Sequence, residues 1–91
     1  MSTKRHLDIV NERGLHARAA AKFSALAEEF DAEITVSNGR ESVGGRSIMG
    51  LLMLGAAKGS SITVSAEGTQ ADAALAAICA LVEDGFGEDR G

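Results

Sequence analysis

Apolar and polar positions change period several times along the chain, and each change marks an element. Residues 4–10 place Leu7 and Ile9 between polar neighbours, the period-two pattern of a half-buried strand. Residues 11–15 form a loop punctuated by Gly14. From His16 the spacing becomes helical, with Ala19, Phe23, Leu26 and Phe30 recurring every three or four residues. Glu33–Ser37 alternates again and turns Ile34 and Val36 inward. Asn38-Gly39 predicts a two-residue hairpin turn, with residues 40–43 returning as the partner strand. Gly44-Gly45 breaks the pattern, and Ser47 is placed to cap a short helix running to about Leu54, which Gly55 closes. Residues 61–66 hold Ile62 and Val64 on one face of a fourth strand. Thr69 with Asp72 predicts a capping box opening the last helix, which buries Ala71, Ala74, Leu75, Ile78 and Val82. Beyond Gly85 the pattern predicts a charged, frayed tail.

The order is strand, helix, strand, strand, short helix, strand, helix. One apolar stripe per helix and one apolar face per strand predict an α+β fold, a sheet covered on one face by helices. No proline, linker or solenoid repeat interrupts it, so residues 1–91 are expected to form one domain, with a core of about 4–84 and a loose end at 85–91.

Composition narrows the function. A hydrophobic fraction of 45% with 24% charged residues is that of an ordinary soluble globular domain. No apolar run reaches the roughly 18 residues of a membrane span, and the start of the chain turns polar too soon for a secretory signal. A cytoplasmic location without membrane insertion is the expectation. The formal charge of −4 argues against nucleic acid as a partner, and the absence of Trp and Tyr removes the usual base-stacking platforms. Cys79 is the only cysteine, so no internal disulfide or cysteine-pair metal site exists; it reads as a small core filler. His6 reads as a surface residue. Glu28, Glu29, Asp31 and Glu33 read as a solvated face. No metal site and no cofactor are expected.

The chemistry gathers in GLHARAAAKF, residues 14–23. His16 stands where a glycine-flanked loop enters an alanine-rich helix. A helix start leaves about four backbone N–H groups without intrahelical partners and carries partial positive charge, so an anion there finds ready donors. Arg18 adds a guanidinium able to grip phosphate oxygens. The same field disfavours a protonated ring, leaving a nitrogen lone pair to attack phosphorus. From spacing alone, a capping or loop histidine is the competing reading.

The second informative segment is GGRSIMGLLMLGAAKG, residues 44–59. Ile48, Met49, Leu51, Leu52, Met53 and Leu54 are too many apolar residues for a short helix to hide in so small a domain. An exposed patch is therefore expected, against the alternative of a helix buried on every side.

Together these two segments resemble the HPr family of histidine-containing phosphocarriers of the bacterial phosphoenolpyruvate-dependent phosphotransferase system. The resemblance runs from Lys4 to about Asp84. It implies an open-faced β-sandwich with four antiparallel strands in the order 1-4-2-3 and three helices. It implies that the chain is a carrier and not an enzyme: enzyme I phosphorylates Nδ1 of His16, which passes the group to an A-type acceptor, sugar-specific or nitrogen-related. Arg18 matches the family's active-site arginine, and the backbone N–H groups of Ala17 and Arg18 are implied to face the phosphoryl oxygens. Ala17, Arg18, Ala21, Ile48, Met49, Leu52 and Met53 fall on the partner surface of a monomeric protein. Ser47 falls on the family's regulatory serine, the target of a dedicated kinase/phosphatase in bacteria that have one; simple N-capping is its bland role. Many members carry Pro after the arginine where this chain has Ala19, which leaves the first helical turn less constrained.

Two other functions remain open to the sequence. One is a regulatory binding module working through Ser47 and the apolar patch. The other is a small-ligand domain in which His16 merely caps.

Overall fold

In the computed structural model, which describes residues 2–88, four strands assemble one antiparallel sheet. They are β1 (Ser2–Asp8), β2 (Glu33–Ser37), β3 (Ser42–Gly44) and β4 (Ser61–Glu67), arranged β1-β4-β2-β3. The order expected from the resemblance is the order observed. Register pairs Leu7 with Ile62 and Val36 with both Val64 and Val43. Those side chains share one face because strand residues alternate. Ile34, Val36, Ile62, Val64 and Ala66 are all buried on it, while Thr35, Ser37, Thr63 and Ser65 between them are half-buried. His6 is exposed and lies opposite Thr63, with Nδ1 3.1 Å from its hydroxyl.

Three helices, α1 (Ala17–Ala27), α2 (Ile48–Met53) and α3 (Ala71–Glu83), cover the apolar face. From α1 come Ala19, Ala20, Phe23 and Ala27, and from α3 Ala71, Ala74, Leu75, Ile78, Cys79 and Val82. The expected last-helix stripe is buried in full. Cys79 is a buried free thiol, and burial pushes it above its ordinary range, as an inert core filler would be.

Three local expectations need correction. The β2–β3 connection is a four-residue loop, residues 38–41, since Ser37 pairs with Ser42. Asn38 organises it: its side-chain oxygen accepts from the N–H groups of Arg40 and Glu41, and its amide donates to Leu54 O. A side chain that closes its own turn this way removes the need for a two-residue turn.

The Thr69–Asp72 capping box does not form. Gln70 is the N-cap of α3, without a side-chain cap bond. Thr69 donates instead to the Asp31 carboxylate at 2.7 Å, and Gln70 Oε1 accepts from Asp31 N–H. These polar groups tie α3 to the loop after α1.

The third correction concerns the chain end. Gly85–Gly87 makes a tight left-handed turn, and Phe86 within it is 0% exposed. Gly85, Phe86 and Gly87 have φ of 65°, 59° and 74°. A left-handed phenylalanine costs about 1–2 kcal/mol, and complete burial of its ring returns about 2–3 kcal/mol. Burial wins, so Gly85 and Phe86 are packed and Glu88 is half-buried; the remainder of the expected tail, residues 89–91, lies outside the described residues.

Candidate functional site

Gly14 fixes the approach to α1. Its φ is 65°, and a Cβ there would stand 2.4 Å from Ala56 O, so only glycine lets the two backbones come this close. The next residue closes the contact, with Leu15 N–H donating to the same carbonyl at 2.9 Å. The loop is thus pinned immediately before His16. Ala19, in the first turn of α1, is fully buried in the core.

His16 is the N-cap of α1, with extended backbone and with Ala20 N–H bonded to its carbonyl. Its Nδ1 accepts from Arg18 N–H at 3.3 Å, so the ring takes the capping role and turns one nitrogen toward the helix start. The side chain is 23% exposed. It is neither walled off nor free.

Nε2 meets the carboxylate of Glu88. Sequence reading missed this residue, because only the burial of Phe86 brings it back across 72 positions. The glycine-flanked phenylalanine, GFG at 85–87, was the signal that could have found it. Glu88 also accepts from Asn11 Nδ2 at 2.9 Å, and Asn11, 0% exposed, donates to Gly14 O at 2.8 Å as well. The Asn11 amide, then His16, hold the Glu88 carboxyl below the usual carboxylate range. Lys22 Nζ donates to Phe86 O at 2.7 Å and fastens the turn to α1. The helix start and a carboxylate therefore act on opposite edges of one ring, which the helix-end field alone did not anticipate.

Beside this pair lies an open hollow of about 370 Å³ lined by Glu12, Arg13, Arg18, Lys22, Gly87 and Glu88. Glu12 is engaged by Lys58 at 2.8 Å. Three cationic side chains around a hollow at a helix start suit an anionic group. No cluster of three or more candidate metal ligands occurs among the described residues, and no helix among them is long and apolar enough to cross a membrane.

Ala17, Arg18 and Ala21 lie on the exposed side of α1. On α2, Met49 is 69% and Met53 71% exposed, Ile48 is also exposed, and Leu52 is half-buried, while Leu51 is buried. The helix is not buried on every side. Ser24 of α1 donates to Arg46 O at 2.8 Å, just ahead of α2, which keeps the two helices together. Ser47 is exposed and caps α2, its Oγ accepting from Gly50 N–H at 3.0 Å.

Known proteins similar in sequence and fold point to one family. Residues 3–84 match the family described as PTS HPr component phosphorylation site. The chain is 52% identical to a phosphocarrier protein NPr of Shewanella violacea, over 93% of each chain. It is 42% identical to a phosphocarrier protein HPr of Neisseria meningitidis, over 93% of this chain and 96% of that one. An HPr crystal structure from Thermoanaerobacter tengcongensis superimposes with a TM-score of 0.91 at 38% identity, covering 96% of this chain and 98% of the other. The chain therefore belongs to the HPr family of phosphotransferase-system phosphocarriers.

Proposed function

We propose that this protein takes a phosphoryl group from enzyme I onto Nδ1 of His16 and hands it to a nitrogen-related A-type acceptor in the cytoplasm. The observation that carries this reading is the seating of His16: a partly exposed ring whose Nδ1 faces Arg18 N–H at the start of α1. A lone pair there attacks phosphorus, and the charge of the arriving group lands among amides and cations already oriented toward it. Ala17 and Arg18 N–H groups receive the phosphoryl oxygens, and the Arg18 guanidinium holds them in line. The chain turns over nothing by itself; it is a stoichiometric phosphohistidine carrier.

The nitrogen-related branch is favoured because the NPr relative is 52% identical against 42% for the HPr one. The exposed Ile48, Met49 and Met53, with Leu52, Ala17, Arg18 and Ala21, form the docking surface for both partners.

The test is incubation with enzyme I and phosphoenolpyruvate. The protein gains one acid-labile phosphate, and His16→Ala gains none. Acid-stable label, or label retained in His16→Ala, overturns the assignment. Offered both kinds of A-type acceptor, the phosphorylated protein discharges faster to the nitrogen-related one; the reverse preference would place it in the sugar branch.

A second reading concerns Ser47, which is exposed at the N-cap of α2 beside the apolar patch. Phosphate there sits well at a helix start yet repels an acidic docking partner. Incubation with the kinase/phosphatase and ATP gives a serine phosphate that Ser47→Ala lacks, and no label on serine removes this reading.

A further inference from the structure

We propose that Glu88 is a positioning residue for His16, its carboxylate holding the ring in the Nε2–H tautomer so that the Nδ1 lone pair stays unprotonated. The inference rests on the phosphocarrier reading of His16. It adds a residue beyond the matched region, which ends at 84.

Two contacts on one ring agree. Nδ1 faces the N–H of Arg18, a group that can only donate. Nε2 faces a carboxylate that, ionised, can only accept. In the Nε2–H tautomer both are satisfied. In the other tautomer a donor would face a donor at Nδ1 and a lone pair would face an anion at Nε2. The hydrogen bond at one nitrogen thus decides which form the other takes.

The carboxylate is itself held. Asn11, fully buried, donates to its other oxygen, and Lys22 and the buried Phe86 fix the preceding turn. Charged groups around the same hollow are Glu12, Arg13, Arg18 and Lys22. Glu12 is already paired with Lys58.

The arrangement serves both directions of transfer. On uptake the Nδ1 lone pair forms the N–P bond, and the bond to the donor breaks with its electron pair staying on the donor. The Nε2 proton does not move, and the ring becomes a phosphoimidazolium facing Glu88. On discharge the N–P pair returns to Nδ1 and leaves a neutral imidazole. Were the Nε2 proton lost in between, the departing ring would carry an unfavourable negative charge. Glu88 keeps that proton in place.

Nitrogen-15 spectra of the His16 ring in the whole protein read the tautomer without any partner. Wild type gives one tautomer, protonated at Nε2. Glu88→Ala gives a mixture and slows phosphoryl uptake and discharge by about tenfold, the low end of what a hydrogen-bond partner behind a metal-bound histidine contributes. Glu88→Gln, which still offers an oxygen to Nε2–H, recovers the wild-type spectrum and part of the rate. A wild-type ring spectrum in Glu88→Ala, or a changed spectrum with unchanged transfer, overturns the proposal. Loss of the Glu88 effect with uptake still abolished in His16→Ala leaves the carrier function standing, so the two ideas fail separately.

Discussion

Asn11 and Glu88, 77 positions apart, are joined by a hydrogen bond of 2.9 Å from the asparagine amide to the glutamate carboxylate. The same amide reaches Gly14 O, so one buried side chain ties the chain end to the loop before His16. Its own carbonyl oxygen is buried and has no hydrogen-bond partner among the described residues.

Asn11→Ala removes both donations and leaves Gly14 O with its His16 N–H donor but without the asparagine amide. The expected loss is about 1–3 kcal/mol of stability, measured by urea unfolding, with weaker protection of the Glu88 amide in hydrogen exchange. A neutral outcome would mean that the loop and the chain end are held by backbone contacts alone.

Acid should loosen the same joint. The Glu88 carboxyl is held below its ordinary range, first by Asn11 and then by His16. Its stabilising contribution is therefore present in full above the ordinary carboxylate value of about 4.3 and is lost as pH falls through the lower folded value. The carboxyl carbon shift of Glu88, followed by NMR, reports a midpoint below that of an unstructured glutamate. A midpoint at or above it contradicts the contact.

Gly14→Ala forces a side chain into a left-handed site and against Ala56 O. Backbone strain and overpacking together cost about 2–4 kcal/mol, read as a lowered denaturation midpoint. A loss under about 1 kcal/mol would show that the Ala56 segment yields easily.

Met49→Glu places a charge on an exposed side chain, so stability changes by less than about 0.5 kcal/mol. Transfer from enzyme I falls by about tenfold, as expected for an apolar contact in a docking patch. A large drop in melting temperature would instead mark Met49 as a core residue.

Much of this was legible in the chain. Leu7, Ile34, Val36, Ile62 and Val64 announced their strands through simple alternation, and Ala71 to Val82 announced α3 by helical spacing; Ile9, read as part of the first strand, lies just beyond it. His16 and Ser47 were legible as caps because helix starts select such residues locally. Most of what escaped was decided at long range. Thr69 carries the local signal of a cap, yet the Asp31 carboxylate, 38 positions away, takes its hydroxyl. Asn38-Gly39 looks like a tight turn until the asparagine side chain closes a wider one. Glu88 sits among charged residues that resemble any loose end, and no local spacing says that Phe86 is buried.

Phe86 turns the last described stretch into a plug with a handle. A polypeptide cut after Asp84 would retain all four strands and the three main helices but would leave the place of the Phe86 ring in the core unfilled. It would also surrender the grip on the imidazole, so proteolytic trimming or a bulky group attached near residue 85 would be felt at the nucleophile as well as in the core.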